Sequence, residues 1–234
     1  MARVRHLSHR EVIIPAGPAH LPGDLVAAST AAGAAIFAHG SGSSRLSPRN
    51  VQVARILNEA GLTTLLFDLL TPAEARDRRN VFDIALLASR LAAATSWLGG
   101  QPEADGLRLG FFGASTGAAA ALWAAAEPGA RVAAIVSRGG RPDLAAPRLG
   151  AVTAPTLLIV GARDDLVLAL NQQARQALSC TAELAVIPGA THLFEEPGAL
   201  EQVADLARGW FLRYLPAASP GAARAAGVSS ARGA

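Results

Sequence analysis

The sequence has a single cysteine, Cys180, and contains no lysine. One cysteine excludes an internal disulfide and agrees with a reducing compartment. No apolar run approaches the ~20 residues that a membrane-spanning helix needs. The basic N-terminus is not followed by the apolar stretch of about 7–15 residues that marks a secretory signal peptide. We therefore expect a cytoplasmic protein without a membrane span.

All basic side chains are arginines, and their distribution argues against a nucleic-acid binder. The chain has 21 arginines and 18 acidic residues, but five of the arginines lie in the end segments. Residues 11–215 hold 16 arginines against 18 acids, a formal charge of −2. No stretch combines a basic face with aromatic residues placed to stack on bases. No Cys/His cluster has metal-ligand spacing either, so we expect no metal and no cofactor.

Apolar segments of strand length alternate with helix-length segments along the chain. Most of the strands are apolar on both faces, a pattern typical of a mainly parallel sheet with helices on both sides. We predict an α/β fold with about eight strands, the first two of them a hairpin joined by a loop over residues 16–23. The predicted strands are 11–15, 24–29, 34–38, 62–67, a segment that begins at 109 and runs into Gly113, 132–136, 156–160 and 183–187. The predicted helices are 48–60, 81–98, 116–127, 166–178 and 200–215.

The pattern indicates one domain, residues 11–215, between two end segments. Residues 1–10 form a basic N-terminal segment, predicted to be solvated. Residues 216–234 consist of Ala, Gly, Ser, Pro and Arg, which cannot pack a core, so we predict a disordered tail. The connection over residues 136–156 is too short for a helical cap, and the charged loop 71–80 is the other candidate lid. A shallow, open site for small substrates is expected.

The chain is organised around Gly113-Ala114-Ser115-Thr116-Gly117, which joins an apolar strand to an Ala-rich helix. A strand, Gly-x-Ser-x-Gly and a helix in this order are the context of a nucleophile elbow. The turn is tight, so its flanking residues must be small. The serine at its tip faces a helix N-terminus, which favours negative charge on a reacting oxygen.

Two further polar groups follow later strands, at the sheet edge where ligands bind in such folds. Serine needs a base to take its proton and an acid to orient the base. The chain offers Ser115, Asp164 and His192, in the order found in α/β hydrolases. Asp165 competes for the acid role, and the Gly-x-x-Asp spacing favours Asp164.

These motifs resemble the serine α/β hydrolases, and more narrowly the small dienelactone hydrolase-like group without a cap. The similarity covers roughly residues 10–215 and implies that Ser115 attacks a carbonyl carbon, His192 carries the proton and Asp164 orients His192. It implies an oxyanion hole from the backbone N–H groups of Thr116 and Ser41. The dienelactone hydrolases carry cysteine at the elbow, so serine favours a general esterase. Cys180 lies in a helix-to-strand connection and cannot replace Ser115.

Three arginines are predicted at or near the same edge of the sheet. Arg45, Arg138 and Arg141 form a candidate cationic rim for a carboxylate or phosphate of the substrate, because guanidinium groups suit such anions. Alternatively, they pair with acidic residues of the loops: Asp143, Asp165 or Glu195.

Two other polar residues follow strands. His39 is expected to orient the oxyanion loop rather than act as a second base. Asp68 is expected to cap a helix or turn rather than accept hydrogen bonds from a loop.

The sequence thus predicts a serine hydrolase that cleaves small or short-chain carboxylic esters. An amidase, thioesterase or acyltransferase would share the same triad, because discrimination among these lies in the shape of the pocket. A catalytically silent hydrolase fold used as a binding module is the third hypothesis.

Overall fold

The computed structural model describes residues 6–216, and within them a single sheet of eight strands organises the chain. The strands in the middle of the sheet are short apolar segments that are almost entirely buried, while the two edge strands are largely accessible. The eight strands are β1 (Leu7–Ala16), β2 (Ala19–Ala28), β3 (Ala34–Ala38), β4 (Thr63–Phe67), β5 (Leu109–Ala114), β6 (Val132–Arg138), β7 (Thr156–Gly161) and β8 (Ala182–Ile187).

The spatial order of the strands is β1-β2-β4-β3-β5-β6-β7-β8. In this order the last six strands, β4, β3, β5, β6, β7 and β8, are parallel to one another. Strands β1 and β2 lie at one edge and pair in antiparallel fashion. The register of β3 and β5 places Phe37 opposite Phe112, with ring centroids 4.8 Å apart. Because the parallel strands share one direction, their carboxyl ends meet at one edge of the sheet.

Helices cover both faces of the sheet, as predicted. They are α1 (Pro48–Glu59), α2 (Arg78–Val81), α3 (Ile84–Gly99), α4 (Thr116–Ala125), α5 (Asp165–Ala177) and α6 (Ala199–Tyr214). Helices α1 and α6 pack in the core on one face, and α3, α4 and α5 pack on the other. Helix α4 is buried on nearly all sides, which its run of alanines permits because small side chains let neighbouring elements approach closely.

The opening hairpin is longer than predicted. Strands β1 and β2 span ten residues each and leave only Gly17 and Pro18 in the turn, where Gly17 has a φ of 64°. Pro22 falls in the predicted loop 16–23 but lies within β2, where proline is tolerated near the edge of the sheet. Leu7 to Arg10 belong to β1, so this part of the basic N-terminal segment is not a solvated tail. Residues 1–5, and the predicted tail after Pro216, lie outside the described residues.

The charged loop 71–80 is partly helical. It contains a 3₁₀ turn at Glu74–Arg76 and leads into α2, and α3 begins only at Ile84, after Asp83 caps it by accepting the N–H of Leu86. Between β6 and β7 the chain forms a 3₁₀ helix, Pro142–Ala151, and no inserted cap domain. The fold is therefore the predicted one.

Gly117, in the first turn of α4, lies where this helix packs closely against the end of β3, and substituting it tests how tight that packing is. A Cβ at this position would lie 2.1 Å from the carbonyl oxygen of Ala38 and 2.4 Å from that of His39. We expect Gly117→Ala to lower the free energy of unfolding by about 2–3 kcal/mol, because the backbone must move apart.

Gly99→Ala is the matched control for urea unfolding. A Cβ at the end of α3 meets nothing within 4 Å, so the same change should be neutral or stabilising by up to about 1 kcal/mol. Equal effects of the two substitutions would contradict the close approach at the elbow.

Candidate active site

Ser115 occupies the turn between β5 and α4 with backbone angles φ 52° and ψ −119°. This positive φ costs a non-glycine residue about 1–3 kcal/mol, so neighbours must hold it. The N–H of Ser115 donates to the carbonyl of Arg138 at 3.2 Å, and its own carbonyl accepts from Arg141 N–H at 3.1 Å. The serine is thereby fixed to the end of β6, with its side chain partly exposed.

Asp164 is the acid that contacts the histidine. Its Oδ2 lies 2.6 Å from Nδ1 of His192, and the carboxylate is largely buried while the imidazole is 39% exposed. Asp165 is exposed as the first residue of α5 and makes no contact with His192. A carboxylate on Nδ1 leaves Nε2 as the basic nitrogen of the ring.

Backbone contacts join the loops that carry these two residues. The N–H groups of Ala162 and Arg163 donate to the carbonyls of Ile187 and Ala190, each at 2.9 Å. Gly161 allows this approach, because a Cβ there would lie 2.4 Å from the carbonyl oxygen of Ala190. The loop after β8 is thus held against the end of β7.

The loop around His192 is anchored by residues that sequence analysis missed. Phe194 has a φ of 57° and is buried among α1 and α6, and Glu196 accepts the N–H of Thr191 at 3.0 Å. The ring of His192 lies over the end of β6, where a Cβ on Gly139 would be 3.4 Å away. No distinct motif marks Phe194 or Glu196. An aromatic two residues after a strand-end histidine is the only signal present.

Ser115 and His192 are therefore brought to neighbouring positions around the end of β6. Among the described residues, the hydroxyl of Ser115 makes no hydrogen bond to the imidazole. Catalytic hydrogen bonds in unliganded enzymes are often long and tighten when substrate binds.

His39 holds the loop that follows β3. Its Nδ1 donates to the carbonyl of Gly40 at 3.0 Å, and its Nε2 accepts the N–H of Leu69 at 3.1 Å. These partners define a neutral ring, and burial lowers the pKa of His39 despite the opposing effects of Gly40 and Asp68. His39 thus holds the loop that follows β3, and the oxyanion role expected for that loop stays a prediction.

The two predicted oxyanion residues lie on either side of Ser115. A Cβ on Gly40 would be 3.1 Å from the Cβ of Ser115, so the loop with Ser41 touches the elbow. Thr116 is the first residue of α4, and its N–H has no partner within the helix. Its hydroxyl is buried without a hydrogen bond.

A pocket of about 200 Å³ opens beside these residues. One wall is the loop Gly40–Ser44, and the facing wall is apolar, with Leu70, Ala75, Val81 and Leu87. The apolar wall is fastened to α3 through Arg90, whose Nη2 lies 2.7 Å from Glu74 and whose Nη1 donates to the carbonyl of Ala16. The loop 71–80, which the sequence suggested as a lid, is thus held in place and forms part of the pocket wall.

Two arginines of the predicted cationic rim are held by carboxylates. Arg45 contacts Asp24 at 3.0 Å and Asp68 at 2.8 Å, and Arg141 contacts Asp143 at 2.7 Å. Both guanidinium groups fasten loops, which is the alternative that the sequence left open. Arg45 contacts none of the three acidic residues expected as partners, because its loop turns back toward β2, which carries Asp24.

The expectation that Asp68 caps a helix or turn is wrong. Its Oδ1 accepts the backbone N–H of Arg45 at 2.7 Å, so it binds a loop rather than capping a helix or turn. The sequence could not place Arg45 next to Asp68, 23 residues away.

Arg138 differs from the other two arginines. It is 8% exposed, and its Nε and Nη1 are buried without a hydrogen-bond partner. Burial, and then repulsion by Arg49, lowers the pKa of Arg138 to about 10.

Within residues 6–216, no group of three His, Cys, Asp or Glu side chains converges as metal ligands would. No helix in this part of the chain is long and apolar enough to cross a bilayer. Cys180 lies between α5 and β8, with its Sγ 3.8 Å from the hydroxyl of Thr156 at the start of β7. It is therefore at the opposite edge of the sheet from Ser115.

Comparison with known proteins links the chain to one family. The model of the Dienelactone hydrolase family matches residues 74–211. The crystal structure of a dienelactone hydrolase from Anabaena variabilis is 54% identical, with a TM-score of 0.87, over 89% of this chain and 99% of that one. Est1E from Butyrivibrio proteoclasticus, 16% identical with a TM-score of 0.74, covers 87% of this chain and 98% of its own, and shares the fold.

A longer relative is also similar. A Mycobacterium tuberculosis protein, whose name assigns it provisionally to the phosphoribosyl transferases, is 58% identical over 214 residues. The match covers 92% of this chain and 48% of the relative, so the chain spans about half of that protein's length.

Because the pKa of His39 is lowered in the folded chain, the free energy of unfolding should depend on pH. The folded chain binds a proton on His39 less readily than the unfolded chain, so the contribution of the neutral ring is present above pH 6.5 and is lost as the pH falls below it. We expect His39→Gln to cost about 1–3 kcal/mol at pH 7.5, because two loop hydrogen bonds are disturbed.

The difference between wild type and His39→Gln should narrow when urea unfolding is repeated at pH 5.5. His20→Gln, at an exposed hairpin position, controls for the loss of an imidazole. A difference that widens at low pH would show that the folded structure holds His39 protonated.

Proposed function

The chain belongs to the dienelactone hydrolase family, and on that premise we propose that it is a serine hydrolase of small carboxylic esters. The observation that carries the proposal is the 2.6 Å contact between Asp164 and His192, beside a serine held at positive φ. Each of the three residues follows a parallel strand at the same sheet edge, which supports their acting together.

The reaction proceeds through an acyl-enzyme. Oγ of Ser115 attacks the carbonyl carbon of the ester while Nε2 of His192 takes the hydroxyl proton. The tetrahedral intermediate collapses, the C–O bond breaks, and the imidazolium gives its proton to the leaving alcohol. Water then attacks the acyl group by the same route and releases the acid and free Ser115. Asp164 keeps the ring in its tautomer and stabilises the imidazolium.

The oxyanion is stabilised by two backbone N–H groups, those of Thr116 and Ser41. The free N–H of Thr116 sits at the N-terminus of α4, where the helix dipole favours negative charge. Removing one such donor typically costs about 3–4 kcal/mol in the barrier. The hydrogen bonds of His39 serve this arrangement, because they hold the loop that presents Ser41.

Small acyl groups suit the neighbouring pocket. Its volume of about 200 Å³ and its apolar wall at Leu70, Val81 and Leu87 accommodate a short chain. The 3₁₀ helix between β6 and β7 leaves no cap to enclose a long one. We infer a preference for short acyl chains.

The first experiment compares the protein with Ser115→Ala on p-nitrophenyl esters from acetate to decanoate. We expect kcat/KM to fall with chain length and to drop at least about 10⁴-fold in the variant. Ser89→Ala, at an exposed position of α3, is the control serine.

Labelling with a fluorophosphonate locates the nucleophile by peptide mass. Activity that survives Ser115→Ala would remove this serine from the mechanism. Labelling of Ser115 without ester hydrolysis would favour an amide, thioester or acyl-transfer substrate, and no labelling would favour the binding module.

The neighbouring aspartates provide a matched pair. Asp164→Asn should lower kcat by about 10⁴-fold, because the amide favours the wrong tautomer of His192. Asp165→Asn should change kcat less than threefold, since that exposed side chain makes no contact with the ring. Steady-state rates on p-nitrophenyl acetate measure both, and the reverse order of effects would assign the acid role to Asp165.

A further inference from the structure

Arg138, the last residue of β6, is a buried cation that contacts no carboxylate within residues 6–216. The residue is 8% exposed, and neither Nε nor Nη1 has a hydrogen-bond partner. Arginine is seldom buried unless it is paired, because removing its charge from water is costly. The pKa of about 10 leaves the guanidinium protonated at neutral pH. The fold therefore retains a buried positive charge that no described carboxylate balances.

The groups around Arg138 leave this charge uncompensated. Its Cζ lies 6.0 Å from the ring centre of Phe194, a face that attracts cations weakly. Arg49, in the first turn of α1, is close enough to repel Arg138. Glu195 contacts Arg49 at 3.2 Å and so neutralises only one of the two arginines.

This cluster adjoins the proposed catalytic residues. The carbonyl of Arg138 accepts the N–H of Ser115 at 3.2 Å, and the next residue, Gly139, packs against the ring of His192. Phe194 follows His192 by two residues. The side chain of Arg49 is 34% exposed, so Arg49 is the arginine of this cluster that solvent reaches.

The unsatisfied donors favour a phosphate over a carboxylate. Nε of Arg49 is buried without a partner, as are Nε and Nη1 of Arg138. A phosphate group offers three oxygens and up to two negative charges, whereas a carboxylate offers two oxygens and one charge. Guanidinium groups match such oxygens in geometry and bind them through charge-assisted hydrogen bonds.

We propose that Arg138, with Arg49, forms a phosphate-binding subsite beside Ser115, and that the ester substrate carries a phosphate group. This inference rests on the proposed function for its place in the reaction, while phosphate binding itself does not require catalysis. Arg45 and Arg141 are outside the subsite, because carboxylates already hold them.

The experiment uses inorganic phosphate as the probe and chloride to match ionic strength. Phosphate should raise the Tm of the Ser115→Ala protein, and in the wild type it should inhibit hydrolysis of p-nitrophenyl acetate. Arg138→Met should raise the phosphate concentration that each effect requires at least tenfold.

Without phosphate, Arg138→Met should raise the Tm by about 2–4 °C, because a buried unpaired charge is removed. Arg148→Met, which removes an arginine from above Trp123, should leave phosphate binding unchanged.

Glu195→Gln should change the affinity for phosphate in the opposite direction to Arg138→Met. Removing this carboxylate frees Arg49, so phosphate should bind two- to fivefold more tightly than in the wild type. Arg138→Lys keeps the charge but loses the planar guanidinium, and intermediate affinity is expected. A merely structural role of Arg138 would instead lower the Tm in both Arg138 variants and leave Glu195→Gln without effect on phosphate.

Three outcomes would overturn the proposal. Phosphate binding that is unchanged by Arg138→Met would place the anion elsewhere. Succinate that binds as tightly as phosphate, with the same dependence on Arg138, would assign the subsite to carboxylates. No effect of phosphate beyond that of chloride would remove the subsite. Because the Tm shift is read in a protein without the serine, it stands even if ester hydrolysis is not found.

Discussion

The positive φ of Ser115 is the constraint on which the rest of the site depends. A serine in this conformation would relax to a common backbone geometry if its surroundings allowed it. Gly117 packs against the end of β3, and a Cβ on Gly113 would lie 2.4 Å from the Cα of Ala118. The hydrogen bonds to Arg138 and Arg141 complete the restraint. The packing of α4 between β3 and β6 thus holds Ser115 in its strained conformation.

The same packing brings three loops to one place. Gly40 touches Ser115, Gly139 touches His192, and Gly161 touches the loop that precedes His192. At each position the absence of a side chain lets a strand end approach its neighbour's loop. The Asp164–His192 contact of 2.6 Å is a product of this approach, since the two residues lie 28 positions apart in the chain.

The arginines show how one residue type serves two purposes in this chain. Arg45, Arg90 and Arg141 each meet a carboxylate; the first two fasten segments around the pocket, and Arg141 contacts Asp143 at the start of the 3₁₀ helix after β6. Arg138, at the end of β6, meets no carboxylate among the described residues. A guanidinium that is buried and unpaired lowers stability, and proteins commonly keep such a cost where function requires it.

The sequence by itself determined the alternation of strands and helices, the strand–turn–helix around Ser115 and the places of Ser115, Asp164 and His192 after strands, because these depend on local periodicity and on short motifs. It misjudged the hairpin around Gly17 and the partners of Arg45 and Asp68, which depend on residues far away in the chain. Only the tertiary structure decided that Asp164 rather than Asp165 meets His192, since the direction in which each side chain leaves the start of α5 fixes the contact. It also decided that Arg138 stays unpaired, because burial and the absence of a nearby carboxylate are properties of packing.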